Sequence, residues 1–298
     1  MSRTFLLLTP LFAIIDRFFE DGEQLPSALT LSSFLILLVG GLLTGTLGAL
    51  LGLGGGVFLI PFLVFAFNLP MHQAIATSIV AVIATSSAGA AMNIERQTVN
   101  IRLGMVLEIA TVTGAILGGL TANRLSNDVL AKIFATLLLI VAVVMIRRNS
   151  RKGQEPAPTL DGVLAGNYVD GSTGETIRYT VHRIPGLLGI SVIAGNISGL
   201  LGVGGGIFKV PAMNLVSGVP MKAATATSNF MIGVTAAASA FIYFAHGHLN
   251  PVIGATAGLG VLGGSFLGVR LARKVHTKVL TWIFAAVLLV VSAQLYLR

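Results

Sequence analysis

No cysteine occurs in the 298 residues of this sequence, so disulfide bonds, thiolate metal sites and a cysteine nucleophile are excluded. Charged residues are scarce as well, since Asp, Glu, Lys and Arg make up 10% of the chain and hydrophobic residues make up 54%. A chain of this composition has too little polar surface to cover a soluble globule. The mean hydropathy of +0.89 agrees with this, and the composition predicts an integral membrane protein.

The positive charge of the chain has a topological explanation. A net charge of +8 could indicate nucleic-acid binding in a soluble protein, but the basic residues here lie in short segments between apolar runs. Nucleic acid is therefore not an expected partner. The patterns that an intramembrane enzyme would need, such as His-Glu-x-x-His or Gly-x-Ser-x-Gly, are missing from the sequence. The pair His246 and His248 lacks further ligands, so we predict no enzyme, no metal site and no cofactor.

The chain contains an internal repeat. The stretch GLGGGVFLIP, residues 52–61, returns as GVGGGIFKVP, residues 202–211, at an offset of 150 residues. The same offset, without a gap, pairs further matching residues: Pro70-Met71 with Pro220-Met221, Ala76-Thr77-Ser78 with Ala226-Thr227-Ser228, Gly114 with Gly264, Gly118 with Gly268, and Phe134 with Phe284. One half of the protein has therefore been duplicated.

Apolar segments divide the chain into two similar sets. We predict a short N-terminal segment over 1–28, a first transmembrane repeat over 29–148, a linker over 149–184 and a second transmembrane repeat over 185–298. The third, fourth and fifth segments of each set approach the ~20 residues that span a bilayer as a helix, whereas the second segment has only about a dozen. The prediction is an all-α polytopic membrane protein whose second segments are half-helices or arms of re-entrant hairpins. The apolar run within residues 4–19 is an uncleaved short or interfacial helix whose crossing of the membrane stays open.

The linker opens with a basic run, residues 147–152, and contains one candidate hairpin. Residues 166–170 and 175–181 flank a Gly-Ser-Thr-Gly turn, which indicates two short β-strands. The simpler alternative is an ordered linker without a function of its own.

Charge asymmetry orients the two repeats. The basic run places the linker in the cytoplasm, and Arg96 and Arg102 place the loop between the third and fourth segments there too. The equivalent loop of the second half, 246–251, has no Lys, Arg or acid, while the next loop, 270–278, is strongly basic. The halves should therefore have inverted topology, the architecture of many secondary transporters, in which the binding site lies where the repeats meet.

The glycine clusters should break their helices. Each glycine disfavours helix by ~1 kcal/mol relative to Ala, and broken backbone at membrane depth must be buried in protein or line a wet cavity. The exposed amides at the start of each following half-helix attract anions. We therefore predict that six glycines contact an anion: Gly54, Gly55, Gly56, Gly204, Gly205 and Gly206. The alternative is close helix packing, which we expect for the glycines spaced on one helix face: Gly114, Gly118, Gly119, Gly264 and Gly268.

Two copies of Gly-x-Gly-Gly-Gly-x4-Pro, each followed by Pro-Met and Ala-Thr-Ser, resemble the sulfite exporter TauE/SafE family of membrane permeases. The resemblance covers about residues 41–148 and 192–298. It implies a multi-helix permease for a small sulfur-containing anion such as sulfite, thiosulfate or an organosulfonate. Lys209 is not part of this motif and corresponds to Leu59 of the first half.

Several other polar residues are candidates at membrane depth. Thr77, Ser78, Thr227, Ser228 and Asn229 could offer donors to an oxyanion, or could bond to backbone carbonyls within the helices. Lys209 lies in an apolar run and could supply a positive charge to the anion, or could extend to the membrane interface. Glu108, with Gly258 at the equivalent position, should be protonated, paired with a cation such as Lys209, or part of a proton path that couples transport.

The leading interpretation is a multi-pass permease of the inner cell membrane that binds a small anion between its repeats and works by alternating access. A carboxylate permease or channel and a non-transporting membrane scaffold stay open as alternatives. The expected partners are the anion and the lipid bilayer, and a homo-oligomer is compatible with the sequence. Sequence alone leaves open the particular anion, the direction of transport and the coupling ion.

Overall fold

The computed structural model describes residues 31–51, 55–148, 164–169, 174–271 and 277–297. Residues 1–30, which hold the predicted N-terminal segment, and the first part of the linker lie outside this described part. The described part forms ten α-helices and one two-stranded sheet, in the order α1 (Leu31–Leu51), α2 (Gly56–Ala66), α3 (Met71–Glu95), α4 (Ile101–Ala122), α5 (Asn127–Arg148), β1 (Gly166–Val169), β2 (Thr176–Tyr179), α6 (Ile184–Leu201), α7 (Gly206–Pro211), α8 (Met221–Ala245), α9 (Pro251–Leu271) and α10 (Thr277–Leu297).

Seven of these helices are long and apolar enough to cross a membrane, namely α1, α3, α4, α5, α6, α8 and α9. The helices after the glycine clusters are short, with 11 residues in α2 and six in α7. One π-helical turn, Ala212–Val216, follows Pro211 at the end of α7. The missing N–H of proline interrupts the hydrogen bonding of the helix at this point, but the equivalent Pro61 lies inside regular helix α2, so proline alone does not account for the turn. The predicted class, an all-α polytopic membrane protein, is confirmed.

Equivalent helices begin with equivalent residues. Pro70 and Pro220 precede α3 and α8 with ψ angles of 147° and 142°, extended conformations that mark each helix start. The Asn100 side chain accepts a hydrogen bond of 3.0 Å from the Leu103 N–H at the start of α4. Asn250 caps α9 in the same way by accepting from the Val252 N–H. These side chains satisfy backbone donors that the first helical turn leaves free.

Close helix packing joins the two halves, and it follows the sequence offset. Helix α1 packs against α9, and the equivalent pair α6 and α4 packs in the same way. A Cβ atom at Gly264 would overlap the Leu42 carbonyl, just as one at Gly114 would overlap the Val192 carbonyl. Gly118 and Gly268 also face the partner helix, and Gly119 faces Ile242 of α8, so these glycines are packing residues, as predicted.

The equivalent helices α3 and α8 pack against each other in opposite directions. A methyl group at Gly233 would lie 3.1 Å from Ser86 Oγ, and one at Gly89 would lie 3.6 Å from Asn229 Nδ2. A position further along α8 therefore meets a position further back along α3. This is the register of an antiparallel helix pair.

The two ends of α8 contact different parts of the first repeat. At its N-terminal end, the Thr227 hydroxyl accepts a 3.0 Å hydrogen bond from the Asn100 N–H. At its C-terminal end, the His248 ring stacks on His72 with 4.7 Å between ring centroids. Since α8 has 25 residues and helices rise ~1.5 Å per residue, these contacts lie at opposite ends of the bundle.

The hairpin of the linker covers the end of the bundle where α4 and α8 begin. Its strands are antiparallel, with Gly166 opposite Tyr179 and Val169 opposite Thr176. The Asn100 amide donates a 3.0 Å hydrogen bond to the Leu164 carbonyl. Burial raises the pKa of Tyr179, against the effect of a hydrogen bond with Asn100. The hairpin is therefore attached to the helices by polar contacts as well as by packing.

Candidate functional site

A cavity of about 180 Å³ lies between the two halves, where helices α1, α3, α8 and α9 meet the two glycine clusters. Gly55 and Gly206, at the starts of α2 and α7, form part of its wall. Among the described residues that line it, none is charged, and six have polar side chains: Thr85, Ser86, Thr225, Ser228, Asn229 and Ser265. The cavity is therefore neutral, and it offers hydroxyl and amide groups to a ligand.

The second glycine cluster interrupts the backbone as predicted. Helix α6 ends at Leu201, and Gly202 closes it with φ 66° and an N–H donated to the Ser198 carbonyl at 2.8 Å. Gly204 and Gly205 have φ angles of 79° and 67° before α7 begins. Residues with a Cβ rarely adopt this left-handed region, so consecutive glycines permit a turn that other residues would not.

The first glycine cluster is described only from Gly55 onward, and Gly54 lies outside the described residues. The Gly55 carbonyl accepts hydrogen bonds from the N–H groups of Phe58 and Leu59, at 3.3 and 3.0 Å. A methyl group at Gly56 would lie 2.9 Å from the Gly202 carbonyl of the second cluster. The two clusters therefore approach each other beside Gly55 and Gly206, which line the cavity.

Two of the predicted hydroxyl groups bond to the protein itself. The Ser78 hydroxyl donates to the Gly202 carbonyl at 3.0 Å, so it ties α3 to the second glycine cluster. Thr227 accepts from the Asn100 N–H. Thr77 is 2% exposed and is not part of the cavity wall. The anion contacts predicted for these three residues, and for Gly204 in the second break, stay predictions.

Ser228 and Asn229 are placed differently, because both line the cavity. Ser228 is 1% exposed, and its hydroxyl has no hydrogen-bond partner among the described residues. A methyl group at Gly206 would lie 3.5 Å from this hydroxyl. Buried polar groups are nearly always hydrogen-bonded, so an unpartnered hydroxyl on a cavity wall indicates a bound water or ligand.

Lys209 and Glu108 meet in a buried polar cluster away from the cavity wall. The Lys209 ammonium donates to Thr235 Oγ1 at 3.0 Å, and the Thr235 hydroxyl donates to Glu108 Oε1 at 2.7 Å. Thr111 donates to Glu108 Oε2 at 2.9 Å. Lys209 and Glu108 are 2% and 8% exposed. The cluster thus joins α4 of the first half to α7 and α8 of the second.

The predicted pairing of Glu108 with Lys209 therefore takes place through a threonine. The binding of the anion by Lys209 stays a prediction, since its ammonium is directed to Thr235 and Lys209 does not line the cavity. Sequence reasoning missed Thr235 and Thr111. The offset pairs Thr235 with Thr85, and Thr111 lies one helical turn from Glu108, so both signals were present.

Three histidines, His72, His246 and His248, gather at the other end of α8. His248 Nε2 donates a 2.9 Å hydrogen bond to Asn123 Oδ1, and its ring lies between those of His72 and His246. Burial lowers the pKa of His248, and charge on the two neighbouring histidines lowers it further. Within the described ranges, no group of three His, Cys, Asp or Glu residues is arranged to hold a metal ion.

Comparisons with known proteins give one consistent result. A family model described as "Sulfite exporter TauE/SafE" matches residues 37–295. The probable membrane transporter protein YunE of Bacillus subtilis (strain 168) is 29% identical over 271 residues, which cover 88% of this chain and 97% of that protein. A probable membrane transporter protein of Haemophilus influenzae is 26% identical over 286 residues, 89% of this chain and 98% of the relative. No solved structure matches the chain.

Proposed function

This chain belongs to the sulfite exporter TauE/SafE family, and we therefore propose that it carries a small sulfur-containing anion, such as sulfite, thiosulfate or an organosulfonate, across the inner cell membrane. That the protein is a multi-pass membrane transporter and not an enzyme follows from the family and its relatives. The particular anion, the membrane and the mechanism belong to the proposal.

We propose that the two repeats have inverted topology and transport by alternating access. Three observations support this. The packing contacts between halves repeat at the offset of 150 residues, equivalent helices α3 and α8 run antiparallel, and residues 100 and 248 lie at opposite ends of α8. A twofold axis that relates antiparallel helices is perpendicular to them, so for membrane-spanning helices it lies in the membrane plane.

The observation that carries the substrate proposal is the neutral cavity with the unpartnered Ser228 hydroxyl. Its volume of about 180 Å³ corresponds to about six waters at ~30 Å³ each, enough for a small oxyanion with part of its hydration shell. Neutral donors and the partial charge of ~0.5 at a helix start suit a singly charged anion better than a dianion. Bisulfite and monosulfonates meet this requirement.

We assign the direct anion contacts to Ser228 and Asn229, together with backbone groups at Gly55 and Gly206, because these four residues line the cavity. Glu108 is the proposed coupling residue. The groups that face it are the Lys209 ammonium from α7, the Thr235 hydroxyl from α8 and the Thr111 hydroxyl of its own helix. A proton on Glu108 would remove the negative charge that balances Lys209.

The proposal is tested with purified protein in liposomes. We expect saturable flux of sulfite or a monosulfonate, and a higher apparent stability in the presence of the same anion. Stabilisation follows RT ln(1 + [L]/Kd), which is about 2.7 kcal/mol at one hundred times Kd. A chloride panel at equal ionic strength controls for general salt effects.

The alternative functions, a carboxylate permease, a channel and a scaffold, predict different results in this assay. Flux and stabilisation by carboxylates alone would replace the sulfur anion with a carboxylate as substrate. Non-saturable flux of many anions would indicate a channel. No flux and no stabilisation by any anion of the panel would overturn the transport proposal for this chain and favour a scaffold.

A further inference from the structure

The cavity between the two repeats is lined by one set of positions, although the offset of 150 residues provides a second, equivalent set. Shifting the lining residues by 150 positions gives this second set, which we call the counterpart region. In the counterpart region Thr235 is fully buried and Ser239 is 1% exposed, whereas the equivalent residues Thr85 and Gly89 line the cavity. The counterpart region is therefore closed.

Larger apolar side chains fill part of the closed region. The equivalents of Thr225 and Asn229, which line the cavity, are Ile75 and Ile79, and these are 0% and 1% exposed. The Ser78 hydroxyl is tied to the Gly202 carbonyl, whereas its equivalent Ser228 is free of described partners and faces the cavity. The two regions thus differ in packing and in hydrogen bonding.

The buried charges contact the closed region through Thr235. Thr235 belongs to this region and bonds to Lys209 and Glu108, and two of the three positions of this cluster are apolar in the other repeat, where Leu59 and Gly258 are the equivalents of Lys209 and Glu108. The equivalent positions, Leu59, Thr85 and Gly258, therefore form no such polar cluster. These two sequence differences between the repeats thus coincide with the structural difference between the cavity and the counterpart region.

We infer that the Lys209–Thr235–Glu108 cluster is a latch that holds the outer half of the transport path closed while the cavity faces the cytoplasm. This inference rests on the proposed inverted repeats and alternating access. The cavity extends along α3 to Met92 and along α9 to Val269, next to the basic residues Arg96 and Arg270. Basic loops mark the cytoplasmic side, so the closed half faces outward.

The physical basis of the latch is the cost of isolating a buried charge. Glu108 lies on α4, whereas Lys209 and Thr235 lie on α7 and α8, so moving α4 away from these two helices breaks the cluster. Each charge is then left without its partner at membrane depth, which is strongly unfavourable until water or another ion reaches it. The outward-open state is therefore disfavoured in this chain, and weakening the cluster should raise its population.

Because the chain has no native cysteine, an introduced cysteine is the only thiol that a labelling reagent can modify. The reporters are Gly89→Cys, on the cavity wall, and Ser239→Cys, at the equivalent position in the closed half. Each is labelled in vesicles of known orientation with a membrane-impermeant, negatively charged methanethiosulfonate. The latch variant is Thr235→Val. The matched control is Thr85→Val, because among the described residues the Thr85 hydroxyl bonds only to carbonyls of its own helix, at 3.0 and 3.2 Å.

We expect Gly89→Cys to react from the cytoplasmic side and Ser239→Cys to be unreactive from either side. Thr235→Val should raise the labelling rate of Ser239→Cys from the outer side about tenfold or more, the factor expected for loss of a hydrogen bond to a charged group. Thr85→Val should leave this rate unchanged. If Thr235→Val does not fold, Lys209→Met combined with Glu108→Gln removes both charges together and serves in its place.

An unchanged rate for Ser239→Cys in a folded latch variant would overturn the latch. Equal increases in Thr235→Val and Thr85→Val would do the same, since the effect would then be a general loosening. The result is separate from the substrate proposal because labelling needs no substrate. Normal sulfite flux with no latch effect leaves the proposed function in place, and a latch effect without flux of any sulfur anion leaves the latch in place.

Discussion

Replacing Ser228 by Ala removes one hydroxyl group from the wall of the cavity. This hydroxyl has no described partner in the protein, so the substitution breaks no hydrogen bond between described residues. The free energy of unfolding should therefore stay the same or rise, because an unsatisfied buried polar group costs about 1–3 kcal/mol. Anion binding should weaken by about 1.5–3 kcal/mol if the hydroxyl donates to the charged ligand, or roughly ten- to a hundredfold in Kd.

The matched control is Ser78→Ala, at the equivalent position of the first repeat. The Ser78 hydroxyl donates to the Gly202 carbonyl at 3.0 Å, and Ser78 does not line the cavity. Its removal leaves a buried carbonyl without this donor, so we expect a loss of about 1–3 kcal/mol in stability. The affinity of the protein that remains folded should change little. The same chemical substitution should therefore act on binding in one repeat and on stability in the other.

Both quantities can be measured in one detergent preparation. Thermal or denaturant unfolding gives stability, and its dependence on sulfite or sulfonate concentration gives affinity through linkage. The reasoning is refuted if Ser228→Ala binds the anion as tightly as the unmodified protein, since the Ser228 hydroxyl would then bond to water and not to the anion. It is also refuted if the two substitutions have equal effects on affinity. Only Ser228 lines the cavity, so equal effects would mean that the anion does not bind there.

Four further predictions concern other parts of the molecule. Gly206→Ala should weaken anion affinity without unfolding the protein, because its methyl group lies 3.5 Å from Ser228 Oγ and 3.0 Å from the flexible end of an isoleucine. Gly56→Ala should lower thermal stability instead, since its methyl group meets a backbone carbonyl at 2.9 Å. Glu108→Gln should change the pH dependence of flux if Glu108 carries the coupling proton, and an unchanged profile would remove that role. The pKa of His248 is lowered in the folded protein by burial and by its two neighbouring histidines, so the unfolded chain binds its proton more readily. Stability from this group is present above about pH 6.5, the ordinary histidine value, and is lost as the pH falls. Melting temperatures at several pH values should show this loss, and His248→Gln should reduce it.

Much of the architecture could be predicted from local sequence. The apolar segments and the scarcity of charge identified a helical membrane protein, and the doubled glycine motif indicated the family, which the family model confirms. The helix break at Gly202–Gly205 was predictable because consecutive glycines disfavour helix wherever they occur. Packing glycines such as Gly114 were predictable because their spacing places them on one helix face.

The candidate site was less predictable from the same motifs. The sequence marks Ser78 and Ser228 alike, yet one hydroxyl bonds to a carbonyl and the other faces a cavity. Lys209 was an evident candidate as an intramembrane charge, but its partner Thr235 lies 26 residues away in another helix. Hydrophobic periodicity and turn signals describe neighbours along the chain, so they do not specify such a pairing.

The sequence by itself determined the number and length of the apolar helices, the positions of the backbone breaks and the correspondence between the halves. These features depend on residues close together in the chain or on a constant offset. Only the tertiary structure decided which of two equivalent regions contains the cavity and which is filled by Ile75, Ile79 and the Lys209 cluster. The reason is physical: both repeats contain the same local motifs, and the difference arises from contacts between side chains of different helices, 26 residues apart for Lys209 and Thr235 and 127 residues apart for Thr235 and Glu108.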